Sequence, residues 1–325
     1  MATMRAAVIR EAGGPEVLRL EDVAVPVPRD GEVLIRVRAF GLNRSELFTR
    51  QGLSPGVAFP RILGIEAVGT VEAAPGGGFA PGEAVATAMG GMGRQFDGGY
   101  AEYTCVPAGQ VQAIPASLPW ETLGALPEML QTAWGSLFTA LRLAAGETLL
   151  VRGGTTSVGL AAAAIAKRHG ATVVATTRRP DSEALLRANG ADDVVVDDGA
   201  IAGQLRARHP RGADKVLELV GATTLEDSLQ CAAQGGVVCM TGMVGNRWSL
   251  DSFSPMDSIP GGVCLTTYSG GPGDFMRTPL AGLVADIAQG RLRVQVGRVF
   301  RLDEIAEAHR CMEENRAGGK IVVLA

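Results

Sequence analysis

The run Gly153-Gly154-Thr155-Thr156-Ser157-Val158-Gly159 follows an apolar segment, Thr148–Arg152, and leads into an Ala-rich stretch. Small residues between a strand and a helix let an anion approach the backbone. The unpaired N–H groups and positive dipole end of that helix would attract a phosphate. The spacing is not G-x-G-x-x-G, because Thr156 and Ser157 stand where glycines are usual, so the glycine pattern alone is weak. Context strengthens it, since four further strand–helix alternations follow, the order of a dinucleotide-binding sheet. The next strand ends Ala175-Thr176-Thr177-Arg178-Arg179, where an NAD-preferring site carries a carboxylate for the ribose 2′-hydroxyl. No carboxylate occurs before Asp181, and an Arg beside two hydroxyls suits a 2′-phosphate. NADPH is therefore expected over NADH. Its expected contacts are Gly153, Gly154, Thr155, Thr156, Ser157, Val158, Gly159, Thr176, Thr177 and Arg178, with Val220 and Gly242 beyond later strands.

Two kinds of element must position such a site. From Arg5 to about Val106 short strands, such as Met4–Ile9, Glu32–Phe40 and Gly69–Glu72, alternate with Gly/Pro turns, which reads as a β-rich domain. Composition shifts near Pro119, and Leu126, Leu130, Ala133, Leu137 and Leu141 then recur at helical spacing, so a helix or helix pair is expected over Glu121–Leu143. From Glu147 onward, strands at Thr148–Arg152, Thr172–Thr176, Asp193–Val196, Lys215–Glu218 and Gly236–Thr241 alternate with helices, the pattern of a parallel sheet. Gly262–Tyr268 is expected to close that sheet at its edge. Leu280–Gln289 and Leu302–Asn315 read as helices and Lys320–Leu324 as a last strand. The expected domains are 1–119 with 290–325, and 120–289.

The 325 residues carry a formal charge of −4 and no Lys/Arg block, which removes the electrostatic footprint of nucleic-acid binding. Apolar residues at 46% and charged residues at 20% argue for a fully folded chain. Residues 1–10 lack an apolar leader core, and the longest apolar run, near Gly159–Ala166, is too short for a membrane span, so a cytoplasmic protein is expected. Five scattered cysteines, Cys105, Cys231, Cys239, Cys264 and Cys311, fit a reducing compartment and read mainly as small core residues. His169, His209 and His309 neighbour no nucleophile motif, so surface or capping roles are expected for them and a hydrolase is not.

Several segments in order resemble the medium-chain dehydrogenase/reductase superfamily over essentially the whole chain. They are Gly41-Leu42-Asn43-Arg44-Ser45-Glu46, Pro60 to Gly69 with Gly64-Ile65-Glu66, Gly98-Gly99-Tyr100-Ala101-Glu102-Tyr103, Leu126-Pro127 leading to Thr132-Ala133-Trp134, the phosphate loop, and Gly318-Gly319-Lys320-Ile321-Val322. The resemblance implies an α/β protein with a GroES-like β-rich catalytic domain and a Rossmann doubly wound parallel-sheet cofactor domain. Zinc members carry Cys where this chain has Asn43 and His where it has Ile65, and neither replacement is a zinc ligand. Residues Gly90 to Asp97 lack the four cysteines of a structural zinc lobe. The chain thus resembles the zinc-independent quinone oxidoreductase and enoyl reductase branch. That resemblance places Asn43 near nicotinamide and substrate, Thr132 close to the nicotinamide, and Arg316 or Lys320 toward the cofactor phosphates. Where such reductases carry tyrosines, this chain has Phe48 and Ser54, which leaves water, Ser54, Tyr100, Tyr268 or another group to supply a proton.

Without a Lewis acid the substrate must accept hydride readily, which points to quinones and α,β-unsaturated carbonyls. Asn43 is then a candidate donor to the forming enolate in a cleft between the two expected domains. Rival readings are a zinc-type alcohol dehydrogenase using Glu66, Cys105 and a histidine, and a non-catalytic NADPH-binding protein. A homodimer joined through the edge strand Gly262–Tyr268 is expected.

Overall fold

The computed structural model describes residues 2–325; Met1, first residue of the expected 1–119 segment, lies outside the described residues. Period-two apolar segments between Gly and Pro turns become β1 (Thr3–Ile9), β2 (Arg19–Ala24), β3 (Glu32–Gly41), β4 (Arg61–Ile62), β5 (Glu66–Ala73), β6 (Ala84–Ala88), β7 (Tyr103–Pro107) and β8 (Val111–Ala113). The Val/Leu-rich segments become β9 (Thr148–Arg152), β10 (Thr172–Thr177), β11 (Asp193–Val196), β12 (Ala213–Glu218), β13 (Ala232–Met240) and β14 (Cys264–Thr267), and β15 (Val296–Arg301) and β16 (Lys320–Leu324) follow. The helices that bear on the site are α1 (Arg44–Arg50), α2 (Trp120–Leu123), α3 (Pro127–Trp134) and α4 (Ser157–Arg168).

The chain divides into two compact units. One takes the chain as far as Gln131 together with Gly270–Gln289 and Val296–Ala325; the other is Thr132–Ser269 with Gly290–Gln295. The first unit extends past Pro119 because Gly124 of the turn after α2 lies against Ala39 and Val322, where an added Cβ would come within 2.9 Å of Val322.

In the first unit a seven-stranded sheet runs β15-β16-β3-β5-β6-β8 with β7 also on β3, and a three-stranded sheet runs β2-β1-β4. All neighbours pair antiparallel except β15 with β16. Ile9, Ile35, Phe40, Leu63, Tyr100 and Val323 form its core. Val322 pairs with Gly41, and the Leu42 N–H donates to the Ile321 carbonyl at 3.0 Å. This register sets Asn43, the residue before α1, beside Lys320, the first residue of β16.

In the second unit six parallel strands run β11-β10-β9-β12-β13-β14. Leu150, Val174, Val195, Val216 and Val238, from β9, β10, β11, β12 and β13, lie in its core, which is why these strands read as continuous apolar runs. The order reverses between β9 and β12, so the crevice beyond their carboxyl ends is the ligand position of a doubly wound sheet. The expected edge strand is β14. Among the described residues no helix is long and apolar enough to cross a membrane.

Two differences from the expected elements have physical causes. The helical spacing over Glu121–Leu143 is cut into α2, α3 and a π-helical turn at Gly135–Ala140, closed by Leu141 N–H to the Ser136 carbonyl at 2.9 Å. Gly135 sits under Tyr268, where any Cβ would collide with the phenol ring. Strand β15 escaped the periodicity because Gly297, Arg298 and Arg301 dilute its apolar alternation at the sheet edge.

Candidate active site

In the second unit β9 delivers its last residue, Arg152, into the sheet interior, fully buried. Its guanidinium donates to Asp197 Oδ2 at 2.9 Å and Oδ1 at 3.0 Å, and to Asp227 Oδ2 at 2.7 Å, Ser228 Oγ at 3.0 Å and the Thr224 carbonyl at 3.2 Å. Burial works against the charge, yet the carboxylates win: Arg152 is raised above the ordinary arginine value and Asp197 held below that of aspartate. At the end of β12, Glu218 is fully buried and accepts from the N–H groups of Val220 at 2.6 Å and Gly221 at 2.9 Å and from the hydroxyls of Thr224 and Ser228. Burial pushes its carboxyl up. These two charges frame the ends of β9, β11 and β12. Arg152 and Glu218 each end an apolar strand, and that position of a charge was the available sequence signal.

The glycine-rich loop between β9 and α4 rests on this frame. Gly153, at φ +84°, donates its N–H to Thr176 Oγ1 at 3.0 Å, and Thr176 in turn donates to Asp197 Oδ2 at 3.3 Å. Thr156 caps α4, accepting from the Gly159 N–H at 3.0 Å and donating to the Gly153 carbonyl at 2.9 Å. A Cβ on Gly159 would fall 2.6 Å from the Gly153 carbonyl oxygen, so glycine is needed for space. The first N–H groups of α4 have no intrahelical acceptor by helix geometry, and Thr155, Thr156, Ser157 and Val158 are half-buried, open to an anion. Gly242 is crowded by Leu219, and Ser136 Oγ lies 2.9 Å from Thr241 Oγ1. The loop therefore fits the pyrophosphate of a dinucleotide on its own geometry.

The residues expected around it divide. Arg178 and Arg179 are exposed at the end of β10, with Arg179 3.8 Å from Asp181. Thr176 and Thr177 instead turn inward: both are buried, and Thr177 Oγ1 bonds the backbone of Arg179 at 3.1 Å. Thr132 is half-buried, and Tyr268 is buried over Gly135.

In the first unit a second set of charges is sealed from water. Lys320 is 1% exposed. Its Nζ lies 2.9 Å from Glu66 Oε1 and 3.5 Å from Glu128 Oε2, and it donates to Asn43 Oδ1. Burial would depress the lysine, but Glu66 and Glu128 overcome it and raise the ammonium above its ordinary value. Asn43 donates to Glu66 Oε1 at 2.9 Å and Glu46 Oε1 at 3.3 Å, so both amide hydrogens are engaged. Glu66 Oε2 accepts from the Glu128 N–H at 2.8 Å. Gly41 makes room, since a Cβ there would collide with Glu66 Oε1 and Lys320 Cε. Glu46 accepts from the Ile65 N–H at 3.1 Å, but its Oε2 has no hydrogen-bond partner among the described residues. Burial, reinforced by Glu66, pushes its carboxyl up to about 7.

The placement of Lys320 answers the expectation that it turns toward a phosphate: its ammonium is enclosed by carboxylates of its own unit. Arg316 is exposed and paired with Glu307 at 2.9 Å and with Glu314. Tyr100 is not placed as a proton donor, because it is fully buried, stacked on Phe40 and 3.1 Å from His309 Nε2, and burial beside Glu46 and Glu66 holds its hydroxyl well above the ordinary value. His309, expected at the surface or a helix cap, is fully buried between Tyr100 and Arg50, and burial lowers it to about 3. Ser54 Oγ bonds Thr49 Oγ1 at 2.8 Å. Cys231, Cys239 and Cys311 are buried, Cys105 is partly so and Cys264 is exposed.

This donor set does not fit zinc. Asn43 and Ile65 offer an amide and an alkyl chain, a lysine ammonium sits against the neighbouring carboxylate, and no trio of His, Cys, Asp or Glu forms a metal site among the described residues.

Comparison with known proteins accords with both units. The alcohol dehydrogenase GroES-like domain matches residues 29–116, and the zinc-binding dehydrogenase domain matches residues 189–323. The chain is 32% identical to the quinone oxidoreductase of Lama guanicoe over 330 residues, covering 99% of this chain and 97% of that one. It is 26% identical to the acryloyl-coenzyme A reductase of Metallosphaera sedula, over 98% of this chain and 99% of that one. The mycobacterial protein Rv1454c, solved in complex with NADPH, superposes with a TM-score of 0.87 at 28% identity, covering 99% of this chain and all of that one. The chain belongs to the medium-chain dehydrogenase/reductase superfamily, in its quinone oxidoreductase branch.

Proposed function

We propose that the chain transfers hydride from NADPH to a quinone or an α,β-unsaturated carbonyl without a metal. Its quinone oxidoreductase relatives support an NAD(P)-dependent oxidoreductase. The single observation that carries the choice of NADPH is the half-buried loop Thr155–Val158 at the start of α4 together with an exposed Arg178 where an NAD site would hold a carboxylate. When bound, the reduced nicotinamide supplies the hydride.

The chain's own groups would do the rest. The N–H groups of Ser157 and Val158 hold the pyrophosphate, and Arg178 offers charge-assisted bonds to the 2′-phosphate. Asn43 has spent both amide hydrogens on Glu66 and Glu46, so its oxygen, which keeps a second lone pair beside the Lys320 bond, is the atom left to accept from a ligand hydroxyl. Because Tyr100 is sealed, protonation of the product falls to solvent or to a half-buried hydroxyl such as Ser54. A conjugated acceptor makes this sufficient, since its negative charge is delocalised before it is protonated. The names of the Lama guanicoe and Metallosphaera sedula relatives, a quinone and an enoyl thioester reductase, support that substrate class.

The test is a stopped-flow panel of quinones, enals and enoyl thioesters with NADPH and NADH side by side. Acceptor-dependent oxidation of NADPH, faster than that of NADH, is expected. Equal use of the two cofactors would remove the 2′-phosphate argument.

A further inference from the structure

Lys320 carries an ammonium into the interior of the first unit. It is 1% exposed, yet three oxygens from three segments converge on its Nζ: Glu66 from β5, Glu128 from α3 and Asn43 from the turn before α1. Gly41 leaves space for this convergence and nothing larger. The titratable groups facing the ammonium are Glu66, Glu128 and Glu46, and Tyr100 faces the same carboxylates. An amide has two ends that differ only in hydrogen-bonding sense. Here a cation sits at one end and two carboxylates at the other, so the orientation of Asn43 is determined electrostatically.

We propose that Lys320 is the resident cation of this pocket and the positioning residue for Asn43. Its ammonium balances Glu66 and holds the Asn43 oxygen as a fixed acceptor, which the NADPH-dependent reduction proposed above uses for a ligand hydroxyl; the catalytic consequence rests on that reading. Without the ammonium the amide is free to turn, because a protonated carboxyl can donate to its oxygen from the opposite side.

Four forms of the full chain test this: wild type, Lys320→Met, Lys320→Arg, and Lys320→Met with Glu66→Gln, which removes both charges and keeps a folded control if the single variant fails to fold. Misplacement of a contact group is expected to lower kcat/KM roughly 10- to 100-fold in Lys320→Met and in the double variant. Lys320→Arg should recover part of the loss, and Lys320→Met should acquire a limb in its pH–rate profile where the uncompensated carboxylates titrate. A double variant that folds, turns over like wild type and keeps the wild-type pH profile would overturn the proposal. A second readout does not depend on activity. In protein labelled with ¹⁵N-asparagine, the Asn43 side-chain amide should give two dispersed, slowly exchanging proton signals that collapse in Lys320→Met and in the double variant. Zinc chloride added to wild type should leave them unmoved. Unchanged Asn43 signals without Lys320, or stoichiometric zinc that shifts them in wild type, would also overturn the proposal. Wild type that is inactive toward every acceptor while these signals behave as expected would refute the functional reading and leave the lysine assignment standing.

Discussion

Glu46 offers the sharpest quantitative test of the buried charges. Replacing it by Gln preserves shape and keeps an oxygen to accept from the Ile65 and Asn43 N–H groups, while removing a carboxyl that burial has pushed from 4.5 to about 7. The folded state holds this proton more tightly than the unfolded state. Between those two values folding therefore takes up protons, and stability falls as pH rises until the carboxyl is ionised in both states. The shift corresponds to about 3 kcal/mol lost between pH 4.5 and pH 7. Glu46→Gln cannot ionise and escapes this loss. Chemical denaturation of the two proteins from pH 5 to pH 8 should show near-equal stability at the acid end and an advantage for Glu46→Gln of about 3 kcal/mol at pH 8, or roughly 6 °C in Tm. Parallel curves, or an advantage for wild type at pH 8, would refute the claim that this carboxyl is forced to ionise without a partner for Oε2.

Three further outcomes follow from single side chains. Arg178→Ser should weaken NADPH binding roughly 10- to 100-fold, as loss of a charge-assisted phosphate bond implies, and leave NADH nearly unchanged in fluorescence titrations. Gly41→Ala should destabilise by about 1–3 kcal/mol in urea unfolding, because its methyl group collides with Glu66 and Lys320 and must disrupt their pair. Gln131 is fully buried and neither end of its amide is hydrogen-bonded among the described residues, so Gln131→Leu should raise stability by about 1–3 kcal/mol. An unchanged or lower melting temperature would show that the amide has a partner such as a buried water.

The parallel sheet was the most legible part of the chain. Strands buried on both faces must be written in Val and Leu, and Gly170 and Gly190, at φ +92° and +100°, mark helix ends that only a residue without a side chain adopts easily. The shape of the turn between β9 and α4 was legible for the same local reason, since close backbone packing such as that of Gly159 on the Gly153 carbonyl demands small residues in sequence. What escaped was polar and long-range. Arg152 meets Asp197 and Asp227, and Lys320 meets Glu66, only after strands far apart in sequence are set in register. The family resemblance turned Lys320 toward the cofactor phosphates, whereas the pairing of β16 with β3 sets its ammonium against Glu66. His309 shows the same failure: helical spacing cannot reveal that Tyr100 and Arg50 wait on the buried face.

The account is tested most directly by mixing the purified chain with NADPH and, separately, a quinone, an enal and an enoyl thioester, in buffer treated with a chelator. It predicts acceptor-dependent NADPH oxidation that added zinc does not increase. No oxidation above the uncatalysed background with any acceptor, or activity that appears only when zinc is restored, would contradict it.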